Sequence, residues 1–125
     1  MKKLTKSDID EIMEKCIKLA RRKPPEFFSI KKMRRFEGSC NWTDIEIDPR
    51  RTFIGTSIHE CVHYLFPKWC ETQVLYAESR ILNQADNLDL TQFLKYLSLK
   101  LYKTELCKCL LATKKKKSQK PLKRK

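Results

Sequence analysis

The chain of 125 residues has only two glycines and two histidines, and nowhere does it hold eighteen uninterrupted apolar residues. So little glycine excludes collagen-like and low-complexity architectures, and a 41% hydrophobic content excludes a wholly disordered chain. The missing apolar run excludes a membrane-spanning helix, so no membrane partner is expected. Met1-Lys2-Lys3-Leu4 leads into charge rather than into an apolar signal core. The expectation is a cytoplasmic, intracellular protein, open to nuclear or nucleoid association, whose six cysteines are mostly reduced thiols. The length fits one domain with its own core.

Acidic residues are absent from the last thirteen positions, and that absence shapes the charge. Residues 1–35 carry 12 Lys+Arg against 5 acids, residues 36–112 carry 8 against 10, and residues 113–125 carry 8 against none. The formal charge of +13 therefore belongs to the two ends. Residues 113–125 have almost nothing to bury and are expected to form a disordered basic tail on a single domain of residues 1–112. Such a tail can bind nucleic acid non-specifically by counterion release, or act only as a solubilising extension.

Apolar periodicity outlines an α+β domain. Ser7 is the expected cap of a first helix running to Arg21-Arg22-Lys23, which Pro24-Pro25 stops. Residues 27–36 alternate loosely as a strand, 37–41 read as a turn, and Thr43, Ile45 and Ile47 alternate with acids as a second strand. The two strands are expected to form an antiparallel hairpin. Asp48-Pro49 marks the start of a second helix ending near Pro67. A third begins around Cys70, and a fourth, capped by Asp89, carries an apolar stripe from Leu90 to Leu110-Leu111.

Both histidines fall in His59-Glu60-Cys61-Val62-His63, on the second helix. Spacing of four residues sets the two imidazoles on one face a turn apart, where their nitrogens can converge on one Zn²⁺. Glu60, beside them, can take a proton from an activated water, the base role in metal-assisted hydrolysis. With no third histidine, the remaining ligand must be a carboxylate or a thiolate. Glu71, just past the Phe66-Pro67-Lys68-Trp69 break, is the leading candidate. Glu78, two turns on, is either the ligand or a partner to a histidine N–H. Cys70 is a further alternative, whereas Cys61 reads as a packed apolar side chain. Tyr76 and Arg80 are candidate donors to a developing oxyanion.

The stretch from Gly38 to Leu82 resembles the small zincin-like metallopeptidases of phages and bacteria. The likeness rests on Gly38, Ile45-Glu46-Ile47-Asp48, Thr56-Ser57-Ile58-His59-Glu60-Cys61-Val62-His63, Phe66-Pro67 and Glu71-Thr72-Gln73-Val74. More distantly, it is similar to the SprT-like and ImmA/IrrE-like zinc peptidases. The resemblance covers about a third of the chain. It implies a minimal zincin-like fold, His59, His63 and Glu71 as zinc ligands, Glu60 as general base, and a protein or peptide substrate. It leaves the basic ends and the fourth helix unmatched. A different class of function, a non-catalytic zinc-binding module tethered to nucleic acid by its tail, fits those ends.

Overall fold

The computed structural model describes residues 2–30, 38–40, 45–47 and 53–119. Four helices enclose a three-stranded sheet: α1 (Lys6–Arg22), β1 (Phe28–Ile30), β2 (Gly38–Cys40), β3 (Ile45–Ile47), α2 (Phe53–Leu65), α3 (Glu71–Gln84) and α4 (Asn87–Gln119). A single 3-10 turn, Pro25–Phe27, links α1 to β1. The α+β expectation holds at this level. Among the described residues, no helix is long and apolar enough to cross a membrane.

α1 begins two residues earlier than expected. Thr5, not Ser7, is the cap: its hydroxyl accepts from the Asp8 N–H, and the Asp8 carboxylate accepts from the Thr5 N–H at 2.9 Å. This reciprocal pair satisfies two orphan helix donors, which a Ser7 cap would leave inside the first turn. The helix buries Ile9, Ile12, Met13, Cys16 and Ile17 and ends at Lys23 before the proline pair. Its last carbonyls are claimed from α4, because Lys100 Nζ donates to Arg21 O at 2.8 Å and to Lys23 O. A cation at a helix C-terminus also suits the dipole.

The sheet departs from the expected hairpin. Its order is β1-β3-β2, with β3 parallel to β1 and antiparallel to β2. Gly38–Cys40, read as turn material, is the strand that pairs with β3, so the antiparallel hairpin is β2–β3 and the sheet is mixed. Three-residue strands carry too little periodicity to reveal direction. The alternation in β3 is as expected: Ile45 and Ile47 are fully buried and Glu46 is half-buried. β3 is nevertheless the central strand, so the edge strands among the described residues are β1 and β2. The expected helix start at Asp48-Pro49 lies outside the described residues.

One core joins the layers. Phe28, Ile45 and Ile47 of the sheet, Ile58 and Val62 of α2, Val74 and Ile81 of α3, and Phe93 and Leu97 of α4 are all completely buried. Burying each such side chain stabilises the fold by about 1.5–3 kcal/mol before entropy is counted. α4 buries its stripe only as far as Thr104; Leu110 and Leu111 are 62% and 65% exposed, so the stripe stops short of them. The helical backbone itself continues to Gln119. The expected tail of residues 113–125 thus overlaps the end of α4, and residues 120–125 lie outside the described residues. Lys, Leu and Ala are good helix formers, no Gly or Pro intervenes before Pro121, and lysines suit a helix C-terminus.

Candidate metal centre

α2 is enclosed on most sides: Gly55, Thr56, Ser57, Ile58, Glu60, Cys61 and Val62 are all buried. The ridge left half-open carries His59 and His63, whose rings lie 4.8 Å apart at 73°. α3 closes over this ridge because the chain reverses between the helices. The Trp69 N–H bonds Phe66 O at 3.0 Å, the two rings stack at 4.2 Å, and Lys15 of α1 caps the Phe66 face at 5.2 Å. As α3 advances through Glu71, Glu78 and Leu82, it passes His63, then His59, then Gly55. The two helices therefore run antiparallel, and both glutamates face the histidine ridge.

The two oxygens of Glu71 each meet one imidazole: Oε1 lies 2.7 Å from His59 Nε2 and Oε2 lies 2.7 Å from His63 Nε2. His59 turns its other nitrogen to Glu78, Nδ1 to Oε1 at 2.8 Å. A neutral imidazole has one N–H, so carboxylates against both nitrogens favour the imidazolium. The hydrogen bond that His59 donates to Glu78 is the largest cause that raises the His59 pKa above 6.5; burial opposes it, and the charges of Glu71, Glu60 and Glu78 add to it. Glu60, 7% exposed, is held above the usual carboxylate range chiefly by burial; His59 and His63 oppose that shift, and Glu71 and Glu78 reinforce it.

Two imidazoles and a carboxylate are donors that zinc accepts. One atom each from His59, His63 and Glu71 can be chosen so that all lie within 4.8 Å of one another. Zinc binds such donors at about 2.0–2.2 Å, which spaces tetrahedral ligands roughly 3.3–3.5 Å apart. The 2.7 Å imidazole–carboxylate pairs are closer than that, so Glu71 must withdraw by under 1 Å, and its 59% exposed side chain is free to do so. Glu78 already stands where a carboxylate orients a ligating histidine through its second nitrogen. The set fits a divalent ion.

Comparison with family models, with curated proteins and with solved structures gives no match for the chain. The site therefore stands on its own geometry.

The remaining candidates fall elsewhere. Cys70 is exposed at the position before α3 and outside the grouped donors, while Cys61 is buried as expected. Among the five cysteines with described side chains, none forms a disulfide. Tyr76 and Arg80 are engaged with the N-terminal segment and each other: the Tyr76 hydroxyl accepts from Leu4 N–H at 3.3 Å and from Arg80 at 2.8 Å. Gln73 completes that attachment by exchanging two hydrogen bonds with the Lys2 backbone.

One contributor was missed. A Cβ built on Gly55 would sit 3.1 Å from Glu78 Oε2, tighter than ordinary contact. Gly55 thus opens the space in which Glu78 reaches His59. The signal was present in the sequence, since Gly55, His59 and His63 repeat at four-residue spacing along one helix face.

Proposed function

We propose that the protein is a zinc-dependent metallopeptidase, with His59, His63 and Glu71 as metal ligands and Glu60 as general base. The observation that carries this reading is the meeting of both imidazoles on Glu71 beside a buried Glu60. The resemblance of residues 38–82 to zincin-like peptidases points the same way.

Bound zinc supplies Lewis acidity, lowering the pKa of water and polarising a carbonyl. The chain's own residues do the rest. Glu78 holds the His59 Nδ1 proton, which fixes the ring and leaves its Nε2 as the ligand atom. Burial raises the basicity of Glu60, so that it takes a proton from the attacking water and returns it to the leaving amine. Among the described residues β2 is the sheet edge on the α2 side, and an extended peptide joining that edge would lie along the helix that bears the site.

The test compares zinc content and peptide cleavage in wild type and Glu60→Gln. Retained zinc with cleavage reduced at least about 100-fold supports the reading, in line with the loss of a general base. Cleavage at the wild-type rate refutes it.

A second reading, a zinc module held on nucleic acid, is favoured by the concentration of the positive charge in residues 1–35 and 113–125. It requires salt-sensitive binding to arbitrary DNA that is lost when residues 113–125 are removed.

A further inference from the structure

The segment before α1 is tied to α3. The Lys2 N–H donates to Gln73 Oε1 at 2.8 Å, and Gln73 Nε2 donates to Lys2 O at 3.0 Å. One side-chain amide thus satisfies both backbone groups of Lys2, as a neighbouring strand would. Two residues on, Leu4 is 4% exposed, and its N–H donates to the Tyr76 hydroxyl, which Arg80 also holds at 2.8 Å. Lys6, at the start of α1, donates to Gln84 O at 2.7 Å. The attachment therefore runs from the first turn of α3 to its last residue.

Glu71 and Glu78 lie almost in line along α3, whereas Gln73, Tyr76 and Arg80 lie roughly 140–200° around the helix from Glu71. Buried Val74, Ala77 and Ile81 occupy the arc between Gln73 and the glutamates. The segment thus grips the side of α3 turned away from the histidines, while Glu71 and Glu78 reach them from the other.

The first turn of α3 needs such a hold. Glu71 is its first residue, and Cys70 at the cap gives the opening N–H groups no side-chain acceptor. Glu71 is also largely exposed, so packing does little to fix its backbone. Gln73, in the same turn, is 5% exposed and bonded at both ends of its amide.

We propose that Gln73 is a positioning residue of the metal centre. By clasping Lys2 it sets the first turn of α3, and with it the placing of Glu71, so zinc affinity depends on bonds made on the opposite face of the helix. This role rests on Glu71 being a metal ligand. The coupling is reciprocal, so an ion held by Glu71 tightens the clasp in turn.

Competition for zinc against a chromophoric chelator tests this on wild type, Gln73→Met, Glu71→Ala and the double variant. Methionine keeps the length and fills the buried site but makes neither bond. Gln73→Met should weaken zinc at least about fivefold with helical circular dichroism unchanged. Glu71→Ala should cost at least the roughly tenfold that loss of a ligating histidine's partner does. In the Glu71→Ala background, Gln73→Met should then change affinity by no more than about twofold. Equal losses in both backgrounds would make Gln73 a structural residue and overturn the proposal. Wild-type affinity in Gln73→Met, with Glu71→Ala impaired, overturns the proposal alone. Wild-type affinity in Glu71→Ala overturns the ligand assignment and the proposal together. Hydrogen exchange of the wild-type chain decides the matter if Gln73→Met does not fold. Zinc should slow exchange of the Leu4 amide at least about threefold, and an unchanged rate overturns the proposal.

Discussion

The contact between Gly55 and Glu78 makes a quantitative prediction about zinc affinity. Glu78 accepts from His59 Nδ1 at 2.8 Å, and loss of such a partner to a ligating histidine costs 10–100-fold in metal affinity, about 1.4–2.8 kcal/mol. Glu78→Ala should therefore weaken zinc binding by that factor while leaving all three ligands in place. Gly55→Ala acts on the same bond from the other side. Its new Cβ lies 3.1 Å from Glu78 Oε2, so the carboxylate must give way by a few tenths of an ångström. A stretched rather than lost hydrogen bond corresponds to about threefold to tenfold, roughly 0.7–1.4 kcal/mol. In the metal-free chain the same change removes a glycine from α2, which favours folding by up to about 1 kcal/mol and offsets part of the crowding. The assay is competition against a chromophoric chelator for four proteins: wild type, each single variant and the double variant. If Gly55 acts through Glu78, Gly55→Ala has no effect on affinity in the Glu78→Ala background. Equal losses from Gly55→Ala in both backgrounds, or a Glu78→Ala affinity within twofold of wild type, would refute the reasoning.

Other consequences follow from the same geometry. Thr5→Ala removes the acceptor for the Asp8 N–H and should lower stability by about 1 kcal/mol in urea denaturation, whereas Ser7→Ala should be near neutral. Phe93→Ala hollows the fully buried contact of α4 and should cost about 3–5 kcal/mol, enough to unfold a marginal domain at 37 °C. The His59 pKa lies above 6.5, so the stabilisation from its paired imidazolium is complete below pH 6.5 in metal-free protein and fades as pH rises through the raised value. Zinc needs the neutral ring. Its affinity should therefore begin to fall above pH 6.5 as the solution is acidified, and Glu78→Gln should move that onset lower.

What the sequence disclosed depended on how local the signal was. His59, Glu60 and His63 were legible because four-residue spacing has only one meaning on a helix, and Glu71 because Phe66-Pro67 compels a reversal that returns the next turn to the same ridge. Glu78 was narrowed to ligand or partner, and only the antiparallel course of α3 past α2 assigns it to His59 Nδ1. Gly55 escaped because its contribution is space, visible only once Glu78 is placed opposite. The parallel pairing of β1 with β3 is a long-range choice that three residues per strand do not encode. Thr5 was passed over for Ser7 because both are good caps, and the reciprocal Asp8 decides between them.

The central claim is the donor set, and X-ray absorption at the zinc edge of the zinc-loaded chain tests it most directly. The account predicts one zinc per chain with two imidazoles and light oxygen ligands, at about 2.0–2.2 Å, and no sulfur shell. Sulfur scattering at about 2.3 Å, or fewer than two imidazoles, would contradict it.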